Sequence, residues 1–239
     1  DTVGIVREYM FTISFKGKSC LEYKVFPSRR PDIPIPKKRI NEIEIAGRDG
    51  ILTETDGDYE PITIPVEFNF REIPEIWSTT YRNIKKWLSG NGILEFSDDR
   101  NFYYKVFYIT FKNEKRKTRK IGVFIAEFTC DPYSYFKTGL EIMETERAAK
   151  NPGEECHPIY KITGEGMCTI TVNGKSMTAN VGQNLTIDTD LILAYRKDGT
   201  LNNAAVTGKY EDLYLKSGEN AISISPGFDL KIIPNWRCL

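Results

Sequence analysis

The sequence predicts a mainly β protein with one packing helix and two domains. Alternating apolar and polar residues, the pattern of a half-buried strand, recur along most of the chain, whereas helical spacing of apolar residues occurs in one segment. Between residues 138 and 158 the chain becomes charged and turn-rich and contains two prolines, which is typical of a linker. A length of 239 residues is sufficient for two domains of ordinary size.

The first predicted domain consists mainly of strands. They are predicted at residues 11–15, 62–70, 102–111 and 121–130. Pro65 lies inside the second strand and indicates an edge position or a bulge, because proline has no N–H to donate to a neighbouring strand. The charged segment 112–120 joins the last two strands, so we expect a long β-hairpin over residues 102–130 with a basic tip.

One helix is predicted in the segment PEIWSTTYRNIKKWLSGNG, where apolar residues recur at i, i+4, i+7 and i+11. This stripe comprises Trp77, Tyr81, Ile84 and Leu88. Pro74 suits the first turn of a helix, and Gly90 suits its end because glycine accepts a positive φ. We expect the stripe to pack against the core rather than to bind a cofactor.

The second predicted domain begins after the linker and is a β-sandwich. Short strands are predicted at residues 159–162, 168–172, 184–188, 191–195, 212–215, 221–225 and 229–233. The pair Asn173-Gly174 between two of the strand-like runs is a strong signal for a tight hairpin, because both residues tolerate a positive φ.

Composition and charge exclude several classes of function. Lys plus Arg and Asp plus Glu both number 33, so the net charge of zero gives no general affinity for nucleic acid. No apolar run approaches the roughly 20 residues that cross a bilayer, so no membrane partner is expected. Five scattered cysteines and no visible leader favour reduced thiols and synthesis in a cytoplasm.

Residues with the potential for catalysis or metal binding are few. His157, the one histidine, follows Cys156 directly, and adjacent residues do not easily form a nucleophile–base hydrogen bond, so we interpret His157 as a linker residue. Asp188 and Asp190 could offer oxygens to calcium or act in a hydrolase, but no EF-hand pattern follows them. Phosphate-binding and nucleophile-elbow motifs are missing. We therefore predict a non-enzyme without cofactor or metal.

The segment INEIEIAGRDGILTETDGDYEP, residues 40–61, contains two glycine turns with acidic neighbours. We expect a strand, a turn, a short strand, a second turn and a strand. The basic segment KNEKRKTRK, residues 112–120, has two open interpretations. It is either a solvated hairpin end that resists aggregation or a contact with a polyanion or an acidic neighbouring subunit.

The order of these pieces resembles the distal tail protein family of long-tailed phages, whose members form the hub at the tail tip. The N-terminal features are FTISFKGKSC, IEIAGRDGILTETDGDYEPITIPVEF, IKKWLSGNGILEFSDD and AEFTCDPYSYF. The C-terminal features are YKITGEGMCTITVNGKSM, LTIDTDLILAY and GKYEDLYLKSGENAISIS. The resemblance covers about 220 residues, and it depends on the order of the motifs rather than on any single motif.

The resemblance implies an N-terminal belt domain over residues 1–140, a linker over 141–157 and a C-terminal galectin-like β-sandwich over 158–239. The belt would form a homo-hexameric ring between the tail-tube protein and the tail-tip or tail-associated lysin protein. A receptor-binding protein is a further partner that the resemblance allows. DNA would only pass through the lumen. The expected location is the tip of a virion tail.

The expected ring has contacts between protomers and with partner proteins, and six residues are candidates for these contacts. They are Arg48, Asp49, Tyr59, Lys115, Arg116 and Lys117, and the first three could instead close their turns locally. The alternative function is a carbohydrate-binding adhesin that acts in host recognition through the C-terminal sandwich. Its available aromatic platforms are Tyr195, Tyr210, Tyr214 and Trp236.

Overall fold

The computed structural model describes residues 11–44, 46–47, 49–144 and 148–239. The chain forms two compact units. The first extends to Ser134 and includes Leu239, and the second comprises Tyr135–Cys238. Strands predominate and the described pairings are antiparallel, so the prediction of a mainly β protein is confirmed.

Within the residues that the structure describes, the first unit contains nine strands and the helix α1, Trp77–Trp87. The strands are β1 Ile13–Phe15, β2 Lys18–Ser19, β3 Val25–Pro27, β4 Lys38–Ile43, β5 Leu52–Tyr59, β6 Ile62–Arg71, β7 Gly92–Phe96, β8 Phe102–Arg116 and β9 Ile121–Phe136. The main sheet has the order β2-β1-β7-β8-β9-β6-β3, and β4 and β5 form a separate two-stranded sheet.

Helix α1 packs on the buried face of the main sheet, as its apolar stripe predicts. Burial in β6 alternates from Ile62 to Phe70: the even-numbered residues are apolar and face the core, and the odd-numbered residues between them are exposed or half-buried. Phe70 contacts the rings of Trp77 and Tyr81 on the helix, at centroid distances of 5.1 and 5.6 Å. Ile84 is fully buried. The helix therefore contributes this face to the core of the first unit.

The C-terminal end of α1 is held by its second tryptophan. The indole Nε1 of Trp87 donates a hydrogen bond to the carbonyl oxygen of Phe15 at 3.1 Å. The Trp87 ring stacks on Tyr23 with centroids 4.6 Å apart. Trp87 is only 5% exposed, so both contacts are shielded from water. The hydrogen bond ties the helix to β1, and the stacked ring ties it to the 3-10 turn Cys20–Tyr23.

The predicted long hairpin is confirmed as β8 and β9, which are neighbours in the main sheet. Both strands extend past the predicted limits: β8 continues through part of the basic segment to Arg116, and β9 continues at its other end to Phe136. Pro65 in β6 lies opposite Glu127 of β9. The partner strand on the other side, β3, opposes only residues 68–70 of β6. Pro65 thus occupies a locally open edge, as expected.

The two acidic glycine segments of residues 40–61 have different roles. The first lies in the loop that joins β4 to β5. The second lies inside β5, where the pairing shifts from Lys38 opposite Tyr59 to Ile40 opposite Thr55. Gly57, with φ +89°, lies among the extra residues. The expected second turn is therefore wrong. It is a bulge that keeps β5 continuous.

The second unit contains eight strands. They are β10 Ala148–Asn151, β11 Ile159–Val172, β12 Lys175–Asp188, β13 Leu193–Tyr195, β14 Val206–Thr207, β15 Gly218–Ile224, β16 Asp229–Ile233 and β17 Arg237–Cys238. The predicted hairpin at Asn173-Gly174 is confirmed, with φ values of 51° and 83° at the turn residues. It joins β11 to β12 along their full length.

The sandwich is organised around this long hairpin. β11 pairs with β16 over residues 159–163 and with β15 over residues 170–172. Between these stretches lie Gly164 and Gly166, whose φ values are 152° and 98°. The ring of Phe228 approaches Gly164 so closely that a Cβ there would clash with it. Strand β11 therefore changes its partner from β16 to β15 at these glycines. Residues from both ends of the β11–β12 hairpin belong to one hydrophobic core.

Four details of the second unit and its boundary differ from the predictions. Residues 159–162 and 168–172 belong to one strand, β11, and the strand predicted at 212–215 is a 3-10 turn at Tyr210–Leu213. Strand β10 lies within residues 141–157, where a linker is predicted, and pairs with β15. The division between the units falls at Ser134, before the predicted boundary.

Candidate interaction surfaces

The β4–β5 ribbon, residues 38–59, exposes apolar side chains. The exposed fractions are 52% for Ile40, 41% for Ile43, 48% for Ile51 and 42% for Leu52. Among the residues that the structure describes, none of these four belongs to either hydrophobic core. An isolated two-stranded ribbon is only marginally stable in water, and exposed apolar patches mark interaction sites. The ribbon therefore has the properties of a surface that a partner covers.

The candidate residues of the ribbon lie at its two ends. Asp49 is exposed near the β4–β5 loop, and Arg48 lies outside the described residues. Tyr59 is half-buried at the base, where its ring meets Tyr133 edge-on at a centroid distance of 5.9 Å. The Nζ of Lys38 lies 5.9 Å from the same ring. Tyr59 thus anchors the ribbon to β9, whereas Asp49 is free to meet a partner.

The basic tip is residues 112–120 of the β8–β9 hairpin, and Lys115, Arg116 and Lys117 are all exposed there. Arg116 differs from the two lysines. Its guanidinium lies 4.6 Å from the ring centre of Trp77 and donates a hydrogen bond to the carbonyl oxygen of Arg119 at 2.5 Å. Arg116 therefore shapes the tip, while Lys115 and Lys117 extend into solvent.

An aromatic cluster supports the tip from below. The rings of Trp77, Phe70 and Tyr81 contact one another. Gly122 of β9 passes beside them, and a Cβ there would lie 2.6 Å from Phe70 Cζ and 2.8 Å from Trp77 Cζ2. Burial of the Tyr81 hydroxyl, together with the nearby Glu114 carboxylate, raises its pKa well above the ordinary value. The hydroxyl therefore stays neutral near neutral pH.

Beyond Val106 the outer edge of β8 is open. Strand β7 pairs with β8 only at residues 104–106, and no other strand in the described chain covers that edge. Phe107 and Tyr108, the next two residues, are 47% and 56% exposed. An open edge with exposed aromatic side chains is a template for strand pairing with another chain.

His157 lies in a side-chain network of the second unit, so its interpretation as a linker residue is wrong. Its Nδ1 is 3.1 Å from Asp190 Oδ1, and its Nε2 is 3.2 Å from the Nη2 of Arg237. The ring stacks on Tyr214 with centroids 4.1 Å apart. Since a guanidinium only donates, Nε2 accepts and the proton of a neutral imidazole resides on Nδ1, facing Asp190. No sequence motif links residues so far apart.

The neighbouring Asp188 has a structural role. Its Oδ1 accepts hydrogen bonds from the backbone N–H groups of Asp190 and Leu191, both at 3.0 Å. Asp188 is 5% exposed. This carboxylate therefore closes a turn and is not presented to a substrate. Among the described residues, no group of three or more His, Cys, Asp or Glu side chains could hold a metal ion.

The aromatic platforms of the adhesin alternative are mostly engaged. Trp236 is only 5% exposed and belongs to the core of the second unit. Tyr214 is covered on one face by His157. Burial raises the pKa of the Tyr195 and Tyr210 hydroxyls. Trp236 is thus removed as a sugar platform, and Tyr214 presents only one ring face.

The five cysteines are free thiols. Cys20, Cys130, Cys156 and Cys168 are buried, and Cys238 is half-buried. Burial and the adjacent Asp131 carboxylate raise the pKa of the Cys130 thiol to about 12. A thiol so strongly held in its protonated form is a poor nucleophile.

Separately, no helix in the described part of the chain has the length and apolarity needed to span a bilayer.

Comparisons with known proteins identify a similar fold. No family model and no curated protein sequence matches the chain. Among solved structures, the chain is similar to the crystal structure of the SPP1 Dit protein, gp 19.1, described as a paradigm of the hub adsorption apparatus in phages that infect Gram-positive bacteria. The TM-score is 0.65 with 15% sequence identity, and the match covers 93% of this chain and 97% of that one. The fold implied by the sequence resemblance is confirmed.

Proposed function

We propose that this chain is a structural distal tail protein, the hub at the tip of a long flexible phage tail or a tail-like particle. The observation that carries the proposal is the fold similarity to SPP1 Dit, which includes both units of the chain and nearly all of the other protein. Fold alone does not determine function. Here the order of sequence motifs points independently to the same family.

The proposed assembly is a ring of six copies, in which residues 1–140 act as the belt that closes the ring. Exposed surfaces of the first unit support self-assembly. The β4–β5 ribbon presents four exposed apolar residues, and β8 has an open edge beyond Val106. Ring closure buries such edges, which would otherwise favour uncontrolled aggregation. Contacts in a closed ring of this kind are heterologous, joining two different surfaces of the same chain.

The proposed role is mechanical. The ring would join the tail-tube protein to the tail-tip or tail-associated lysin protein and offer a place for a receptor-binding protein. DNA would contact the lumen only in passage. The turn-closing role of Asp188, the engaged His157 and the buried thiols support a protein without catalytic function.

Electron microscopy of the purified protein tests this proposal. We expect closed rings whose class averages have six-fold symmetry. The matched control is a truncated chain of residues 135–239, which lacks the belt and should form no ring. Filaments, or particles without rotational symmetry, would contradict the proposed hub.

A further inference from the structure

We infer that the ring closes when the acidic β4–β5 ribbon of one copy docks along the open edge and basic tip of the β8–β9 hairpin of the next copy. This inference rests on the proposed function, since it names the two surfaces that join neighbouring copies. The occupant of the hairpin edge is therefore a second copy of this chain.

Charge complementarity is the first argument. The sequence of β5, LTETDGDY, contains three acidic residues and no basic one, and the ribbon as a whole, residues 38–59, contains six acidic and three basic residues. Glu54 and Asp58 are exposed on it. Six of the nine residues in the basic tip are Lys or Arg, and Lys115 and Lys117 are exposed. The chain as a whole has no net charge, so these opposite local charges are segregated on one molecule and can attract a neighbouring copy.

Apolar complementarity is the second argument. The ribbon exposes Ile43 and Leu52, which lie opposite each other on one face of the β4–β5 pair. The hairpin exposes Phe107 and Tyr108 beside its open edge. Charged residues at the rim and apolar residues at the centre are the usual anatomy of a protein interface. A nucleic acid would use the positive charge of the tip but would not cover the ribbon. A second copy covers both surfaces.

The placement of the two surfaces is the third argument. The ribbon leaves the main sheet at Tyr59, next to the end of β6 where Ile62 pairs with Cys130. The basic tip lies at the other end, where Arg71 pairs with Ile121. Ten residues of extended strand separate the two ends, a distance of about 30 Å at roughly 3.4 Å per residue. Surfaces at opposite ends of one sheet suit a head-to-tail contact between successive copies.

A charge exchange tests the inference. The ribbon variant is Glu54→Lys with Asp58→Lys, and the tip variant is Lys115→Glu with Lys117→Glu. Neither variant changes Arg116, because it packs on Trp77. Asp56 is also left unchanged. Sedimentation velocity over a concentration series gives the concentration at which half of the chains are assembled. Each variant alone should raise this concentration at least about tenfold, because like charges then face each other.

The combined variant carries all four substitutions and is the decisive sample. It restores opposite charges with their signs exchanged, so its half-assembly concentration should return to within about threefold of the wild-type value. The control is Lys161→Glu with Lys197→Glu in the second unit, which changes the net charge as the tip variant does. Both lysines are exposed, and the control should assemble as the wild type does. Unchanged thermal unfolding confirms that all variants are folded.

The outcomes separate this inference from the proposed function. A wild-type ring with unaffected single-surface variants would overturn the pairing and leave the ring standing. Failure of the combined variant to recover would also overturn the pairing. A tip variant that loses affinity for double-stranded DNA while assembling normally would assign the basic tip to nucleic acid instead. A wild-type protein that never assembles would overturn both proposals.

Discussion

Gly122 offers the sharpest prediction about the first unit, because it lies where β9 passes the aromatic cluster under the basic tip. A Cβ at this position would stand 2.6 Å from Phe70 Cζ and 2.8 Å from Trp77 Cζ2, well inside the roughly 3.5–4.0 Å separation of carbon atoms in contact. Phe70 is 2% exposed and its ring also stacks on Tyr81. Neither ring can therefore move without displacing a neighbour.

We expect Gly122→Ala to lower the free energy of unfolding of the first unit by about 1–3 kcal/mol, the usual range for overpacking a core. Urea unfolding followed by tryptophan fluorescence measures the change, since Trp77 and Trp87 both lie in the first unit. The internal control adds Phe70→Leu to Gly122→Ala. The smaller side chain should recover part of the loss relative to the two single variants. A Gly122→Ala protein as stable as the wild type would refute the reasoning.

Three further predictions concern single residues. Arg116→Ala should cost about 0.5–2 kcal/mol of stability, because it removes a cation–π contact and a hydrogen bond, whereas Lys117→Ala should cost nearly nothing in the same urea assay. Asn220→Leu should destabilise the second unit by about 1–3 kcal/mol. The fully buried Asn220 side chain accepts hydrogen bonds from Asn173 and Lys216 and donates one to Gly218. A thermal unfolding midpoint that does not fall would contradict this prediction. Burial and Asp131 raise the pKa of the Cys130 thiol from 9.0 to about 12, so the stability due to this thiol is fully present below pH 9 and is lost as the pH rises toward 12. A Cys130→Ala variant should accordingly lose less stability than the wild type between pH 9 and 11, and equal losses would argue against this assignment.

Local patterns predicted the elements whose signals are local. The alternation in β6, the apolar stripe of α1 and the Asn173-Gly174 turn depend on residues a few positions apart, and the structure has each where it was expected. Strand β10 escaped detection because its inward residues are Ala149 and Asn151. An asparagine at an inward position breaks the apolar alternation by which a strand is recognised. In the structure the Asn151 amide donates a hydrogen bond to the carbonyl oxygen of Leu215 at 3.2 Å.

Local sequence patterns did not predict the features that depend on residues distant in the sequence. Gly164 and Gly166 look like strand breaks, yet they bend β11 without ending it. Gly57 has the sequence context of a turn but forms a bulge, because the partner strand β4 continues opposite it. The His157 network joins positions 33 and 80 residues apart. No spacing rule connects such positions, so only the folded chain reveals them.

The same limit applies to the candidate interface residues. The sequence identified Lys115, Arg116 and Lys117 as one group, but only the structure separates Arg116, which packs on Trp77, from the two lysines. Likewise, Tyr59 and Asp49 belong to one motif, and the structure places the first at an anchored base and the second near an exposed loop. Their roles in an interface stay predictions.

The native mass of the purified chain tests the central claim most directly. Light scattering over a concentration series should give a mass of about six times the 27.4 kDa of one chain, with smaller species only at the lowest concentrations. The ring should persist in moderate salt, because apolar residues of the ribbon and of the β8 edge contribute to the contact as well as charges. A mass that stays at that of one chain up to the highest concentration would contradict the claim that this protein closes a ring through its own surfaces.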